Sequence, residues 1–151
     1  LLHPKEAFTL DMDGTRITDT GSRWLTWMSD CKIYWGKTKY FEVIVEAISP
    51  NRFMMLGICD KTQYPASTCI STYRLYVGEH QYTVKPGDKL GLLFDGTKNA
   101  GFYCLNGKIQ KQIFSYIADD WKDKHAPKYA VACMACSNNR LRINNDATMP
   151  I

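Results

Sequence analysis

Apolar side chains recur at every second position through much of the stretch from Gly87 to Phe114. Leu90, Leu92 and Phe94 alternate within Asp88 to Asp95, and Phe102 and Cys104 alternate within Ala100 to Leu105. A period of two lines such residues along one face of a strand. Only Gly96, Thr97, Lys98 and Asn99 separate the two runs. A parallel pair needs a crossover of about a dozen residues, so this link predicts an antiparallel hairpin. Asn106-Gly107, both tolerant of positive φ, predicts a second tight turn into Lys108 to Phe114. Two successive hairpins make a meander and point to an all-β fold.

The same pattern continues elsewhere. Tyr40 to Ile48 alternates, which predicts Phe41, Val43, Val45 and Ala47 facing in and Glu42 and Glu46 facing out. Arg52 to Cys59 is nearly all apolar and reads as an interior strand, and the short link of Ser49, Pro50 and Asn51 predicts that it forms another hairpin with the previous strand. Lys128 to Cys136 and Arg140 to Asn144 read as late strands. Phe8 to Met12, Arg16 to Thr18, Lys32 to Trp35 and Gln81 to Val84 are shorter candidates. No long window carries a 3.6-residue period; Asp119 to Lys124 is at most one helical turn. Many short strands with frequent turns predict two packed antiparallel sheets. The longer connections, Asp19 to Cys31, Asp60 to His80 and Ile117 to Pro127, are read as loops, where recognition usually sits.

Composition narrows the class. A chain of 151 residues, 45% hydrophobic and 13% aromatic, suits one folded domain with its own core. The net charge is +4, but basic and acidic residues are interspersed, as in Lys122-Asp123-Lys124. The expectation is therefore no nucleic-acid partner and, without a long apolar run, no membrane span. The absence of an initiator Met and of a signal-peptide pattern reads as a single domain, 1–151, excised from a larger intracellular protein, cytoplasmic or nuclear. Six cysteines, Cys31, Cys59, Cys69, Cys104, Cys133 and Cys136, read as free thiols of a reducing compartment. Cys133 and Cys136 are the one close pair, and a zinc site wants a second pair. No metal and no cofactor are expected.

Several segments carry a family pattern. Gly36-Lys37-Thr38-Lys39-Tyr40-Phe41-Glu42-Val43 resembles the opening strand of SPRY domains, a Gly followed by an aromatic pair and Glu-Val. Leu56-Gly57-Ile58 resembles the end of the next strand. Gly87-Asp88-Lys89-Leu90-Gly91, Leu93-Phe94-Asp95, Phe102-Tyr103 and Asn106-Gly107 resemble the family hallmark. Tyr129-Ala130-Val131-Ala132 is similar to the late strand, with Tyr129 where Pro is frequent. The similarity spans roughly residues 30–145. It implies a bent antiparallel β-sandwich, a concanavalin-like jelly roll. It also implies a non-catalytic interaction module, such as the substrate-recognition or scaffolding part of a ubiquitin-ligase, immune or other multidomain assembly.

Within that resemblance, three connections build a bowl for a protein or peptide partner: Arg23 to Trp27, Asp60 to Tyr64 and Met134 to Asn138. Trp24, Trp27 and Tyr64 are the candidate aromatic contacts, because such side chains bury large area with few rotors. Arg23 and Arg52 offer bidentate donors to carboxylates or carbonyls. Met134, Ser137 and Asn138 complete the set. Trp24 and Trp27 serve equally well as an end-closure of the sandwich, and Trp35 is read as core. The isolated domain is expected to be monomeric.

Two other classes compete. Leu10-Asp11-Met12-Asp13-Gly14-Thr15 looks like the nucleophile motif of haloacid-dehalogenase phosphatases, with Asp11 attacking phosphorus and Asp13 as acid or base. That fold needs parallel strands joined by helices, whereas Asp13-Gly14 also suits a turn between short strands. A lectin-like sandwich is the third class, and it wants a Trp platform on a sheet rather than in loops. His3, His80 and His125 lie in no recognised catalytic arrangement.

Overall fold

The structure, a computed structural model, describes residues 8–11, 15–19, 25–48, 53–60, 74–77, 84–116, 119, 121–135 and 139–151. These residues contain eleven strands and no helix. In chain order the strands are β1 (Phe8–Asp11), β2 (Arg16–Asp19), β3 (Leu25–Ile33), β4 (Lys39–Ala47), β5 (Phe53–Cys59) and β6 (Arg74–Val77). They continue with β7 (Lys89–Asp95), β8 (Ala100–Leu105), β9 (Lys108–Ser115), β10 (Lys128–Ala135) and β11 (Arg140–Ile143). Seven strands form one sheet in the order β1-β2-β11-β4-β7-β8-β9, and four form a second in the order β3-β10-β5-β6. Every neighbouring pair is antiparallel.

The meander forms as its links dictate. β7 and β8 pair from Asp95↔Ala100 to Leu90↔Leu105. Asn106 (φ 52°) and Gly107 (φ 82°) turn the chain into β9, the two positive φ values that match a two-residue hairpin to strand twist. Ile17, Val43, Val45, Leu90, Leu92, Phe94 and Leu141 of the larger sheet share one core with Trp27, Ile33, Leu56, Ile58, Ala130 and Ala132 of the smaller.

A pinned corner precedes β7. Gly87 has φ 97°, a left-handed conformation that a side chain would strain. Its N–H donates to the Val45 carbonyl (2.7 Å), and the Val45 N–H donates to the Asp88 carbonyl (2.8 Å). The buried Asp88 carboxylate accepts from the Lys85 N–H (3.0 Å) and from Asn106 Nδ2 (3.3 Å). One Gly-Asp pair thus ties the approach to β7 to both β4 and the β8–β9 turn.

Trp121 plugs the core from a loop. Its ring meets Tyr116, Trp35 and Phe94 at centroid distances of 5.3, 5.6 and 5.7 Å. Its indole N–H donates to the Ala126 carbonyl (3.2 Å), and Lys124 Nζ donates to the Trp121 carbonyl.

Several expectations need correction. β4 and β5 form no hairpin: β4 lies between β11 and β7 in the larger sheet and β5 between β10 and β6 in the smaller, so the chain changes sheet across that short link. The Asp19 to Cys31 connection is in part strand, because β3 starts at Leu25; the shorter Lys32 to Trp35 candidate keeps only Lys32 and Ile33. Trp27 and Met28 are adjacent and both buried, so the period of two that marks a half-buried strand is missing. The Asp60 to His80 connection contains β6. On β8 the core residue is Tyr103, the register partner of Leu92, whereas Phe102 and Cys104 lie on the other face. Glu42 does leave the core side of β4, yet it is only 4% exposed. Of the Gln81 to Val84 candidate, residues 81–83 lie outside the described residues, and Val84 is buried without belonging to a strand.

Candidate functional site

Strand register decides which connections share an end of the molecule. Met134 of β10 is opposite Leu25 of β3, and Ala135 is opposite Phe53 of β5. The starts of β3 and β5 and the finish of β10 therefore lie together. Cys59, at the far end of β5, is opposite Tyr129, and Asp60 follows it. Seven strand residues separate the two ends by roughly 20 Å. The connection that begins at Asp60 thus departs from the end opposite the other two. An antiparallel strand delivers its preceding and following loops to opposite ends, which is the reason for this split.

Arg23, Trp24, Arg52, Tyr64, Ser137 and Asn138 lie outside the described residues. Met134 belongs to β10 rather than to the turn after it. Trp27 is a correction. It is fully buried in the intersheet core, 6.4 Å from the Phe41 ring, and is no surface contact. At the Asp60 end, Lys128 Nζ pairs with Asp60 Oδ1 (2.7 Å) and stands over the rings of Trp121 (5.2 Å) and Tyr116 (5.3 Å). This nearly buried ammonium is satisfied by a carboxylate and two π faces, so it reads as a structural anchor for the connection that starts there.

A groove of about 820 Å³ runs between β3, the start of β4 and the segment after β11. Its wall at β3 is irregular. From Met28 to Lys32, β3 takes four residue steps while β10 takes two, from Val131 to Tyr129. Such a bulge re-aims side chains and bends the strand. The Ser29 hydroxyl fills the gap, donating to the Ala130 carbonyl (2.7 Å) and accepting from the Cys31 N–H (3.1 Å). Tyr34, 38% exposed, stands at the groove's rim.

Glu42 lines this groove and a smaller cleft of about 410 Å³ beside it. The Tyr40 hydroxyl donates to Glu42 Oε2 (2.6 Å) and Asn144 Nδ2 donates to Oε1 (2.6 Å). The Asn144 N–H also donates to the Glu42 carbonyl (3.0 Å). Burial, and then the bond to Glu42, push the Tyr40 phenol well above its ordinary pKa, so it stays a donor. Sequence alternation assigned Glu42 to solvent and missed this site. The feature that buries it, the chain after β11, leaves no periodic signal.

Burial pushes the Cys59 and Cys104 thiols up to about 12, so both remain protonated at neutral pH. Asp11, the supposed nucleophile, ends β1 opposite Arg16 of the antiparallel β2. That hairpin is incompatible with the parallel strand and following helix that the phosphatase reading requires.

No protein-family model matches the chain, and no curated protein is similar to it in sequence. Solved structures are similar in shape. The SPRY domain of human HERC1 aligns over 93% of this chain and 94% of its own, at TM-score 0.66 and 14% identity. A human SPRY domain structure aligns over 94% and 97%, at TM-score 0.68 and 13% identity. The fold is the SPRY fold. The Drosophila melanogaster neuralized-NHR1 domain also shares it, with TM-score 0.70, 12% identity and 93% coverage of both chains. At such low identity only the SPRY architecture is common ground, and the loop residues of this chain are its own.

Proposed function

We propose that this domain is a non-catalytic docking module for a protein or peptide partner. The observation that carries the reading is the SPRY fold over more than nine-tenths of the chain. The register supports a loop face at one end. The ends of β3, β5 and β10 meet there, so Arg23, Trp24, Arg52, Ser137 and Asn138 belong to connections that start from that end. A partner segment sets one or two side chains against Trp24, and Arg23 orients it through bidentate hydrogen bonds. Tyr64 is the second aromatic anchor in this reading. A place in an intracellular multidomain assembly, such as a ubiquitin-ligase or immune adaptor, fits this docking role.

The test is an affinity capture with the isolated domain, followed by binding measurements with the captured partner. Trp24→Ala and Tyr64→Ala are each expected to weaken binding by about tenfold, the effect of losing one interface anchor, while the thermal midpoint stays unchanged. Full-strength binding by both variants sinks the loop-face reading.

A further inference from the structure

A second surface stands apart from the loop face, on the solvent side of the larger sheet. Strand register aligns Arg16 of β2 with Arg142 of β11, and Arg142 with Ile44 of β4. Register partners in an antiparallel sheet point to the same side, and like charges directly opposite are destabilising. Arg140, two residues from Arg142, points to that side as well. Three guanidinium groups thus crowd one patch.

One carboxylate, that of Glu46, serves all three. Arg16 holds it in a fork, Nε to Oε1 at 2.6 Å and Nη2 to Oε2 at 3.1 Å. Arg140 and Arg142 reach it only through Nε, each at 3.3 Å. The arrangement is unequal. Arg16 has Glu46, and Asp11 stands at its register position on β1. Arg140 and Arg142 have no other partner among the described residues, and their side chains are 44% and 34% exposed. A guanidinium carries five N–H donors, so most of those on Arg140 and Arg142 have no partner among the described residues. Half-exposed Ile44 lies beside Arg142 and offers a small apolar contact.

The geometry points to a docking site for an acidic segment of a protein partner, whose Asp or Glu carboxylates bridge Arg140 and Arg142. Glu46 shows that carboxylate is the chemistry these guanidinium groups accept. A bound carboxylate relieves the excess positive charge and makes forked bonds that the sheet itself leaves open. This inference rests on the docking reading above but uses a different face, so the two fail independently.

The experiment uses the whole chain and a fluorescein-labelled octaglutamate peptide, with octaglutamine as the neutral control, read by fluorescence anisotropy at low and physiological salt. The expected result is binding of octaglutamate alone, weakened by added salt. Arg140→Gln combined with Arg142→Gln is expected to weaken it about tenfold at low salt, and Lys122→Gln, on an exposed loop, leaves it unchanged. Glu46→Gln removes the internal competitor and is expected to strengthen binding, a direction that loss of fold does not produce. Equal affinity of the wild type and the double variant overturns the proposal, as does equal affinity for the two peptides. If the double variant does not fold, Glu46→Gln decides alone, and unchanged or weaker binding by it counts against the site. Tighter arginine-dependent binding of a single-stranded oligonucleotide or of phosphatidylserine vesicles also overturns it, since the occupant is then no acidic peptide. Trp24→Ala retains octaglutamate binding whatever its effect on the loop face.

Discussion

Asp88 concentrates more of the fold in one side chain than its place beside a turn suggests. Its two oxygens serve the Lys85 N–H and the Asn106 amide, and its carbonyl serves Val45. Asp88→Ala removes the acceptor of the Lys85 N–H and of the Asn106 amide while keeping the carbonyl that serves Val45, and chemical denaturation is expected to show a loss of about 1–2 kcal/mol. Glu46 adds a pH dependence. The Arg16 hydrogen bond holds its carboxyl below the ordinary value of 4.5, so the unfolded chain takes up that proton at higher pH than the folded one. Its stabilising contribution is complete above that value and fades as pH falls through the lower folded one. Denaturation midpoints between neutral pH and pH 3 should therefore drop more steeply for the wild type than for Glu46→Gln. Cys59 and Cys104, held protonated by burial, are expected to resist iodoacetamide in the folded state and to react once denaturant is added; rapid native-state labelling of either, seen by mass spectrometry, contradicts that. At this scale Asp88 was legible in the sequence as half of a Gly-Asp pair. Glu42 was not, since a strand's alternation says which face a residue takes but not whether another segment then covers it.

Elements were legible where both their period and their punctuation agreed. β7 and β8 have four turn residues between them and apolar positions on alternate sites, and they emerge within a residue of where the pattern placed them. β3 hides because Trp27 and Met28 are buried on opposite faces and Ser29, Asp30 and Cys31 form the bulge. β6 is four residues, too short to show a period. Packing between elements then explains which glycines matter. A Cβ on Gly96 would lie 2.4 Å from the backbone of Lys37, which cannot swing aside, whereas one on Gly91 would meet the Tyr40 ring, which can. Gly96→Ala is expected to lower stability by roughly 3 kcal/mol and Gly91→Ala by roughly 1–2 kcal/mol, from the strain of overpacking. Equal midpoints for the two variants in thermal melts would show that the hairpin tip yields more than its contacts suggest.

For the molecule as a whole, the β7–β8–β9 meander was readable from link lengths, but the equally short link between β4 and β5 joins two different sheets, because a short turn limits distance and not which sheet the next strand enters. The grouping of loops was not readable, because it depends on which end of each strand a connection leaves, and that needs the order in which β3, β10 and β5 pair. The same order gives β3 an outermost position, and there its irregular middle has a bearing on how copies of the domain behave at high concentration. A straight nine-residue border would be a template on which a neighbour's chain adds hydrogen bonds, the first step toward filaments. The two surplus residues and the inserted serine hydroxyl spoil that template. Removing Asp30 and Cys31 together should restore it, and light scattering of the shortened chain should then rise with concentration while the parent stays a single species.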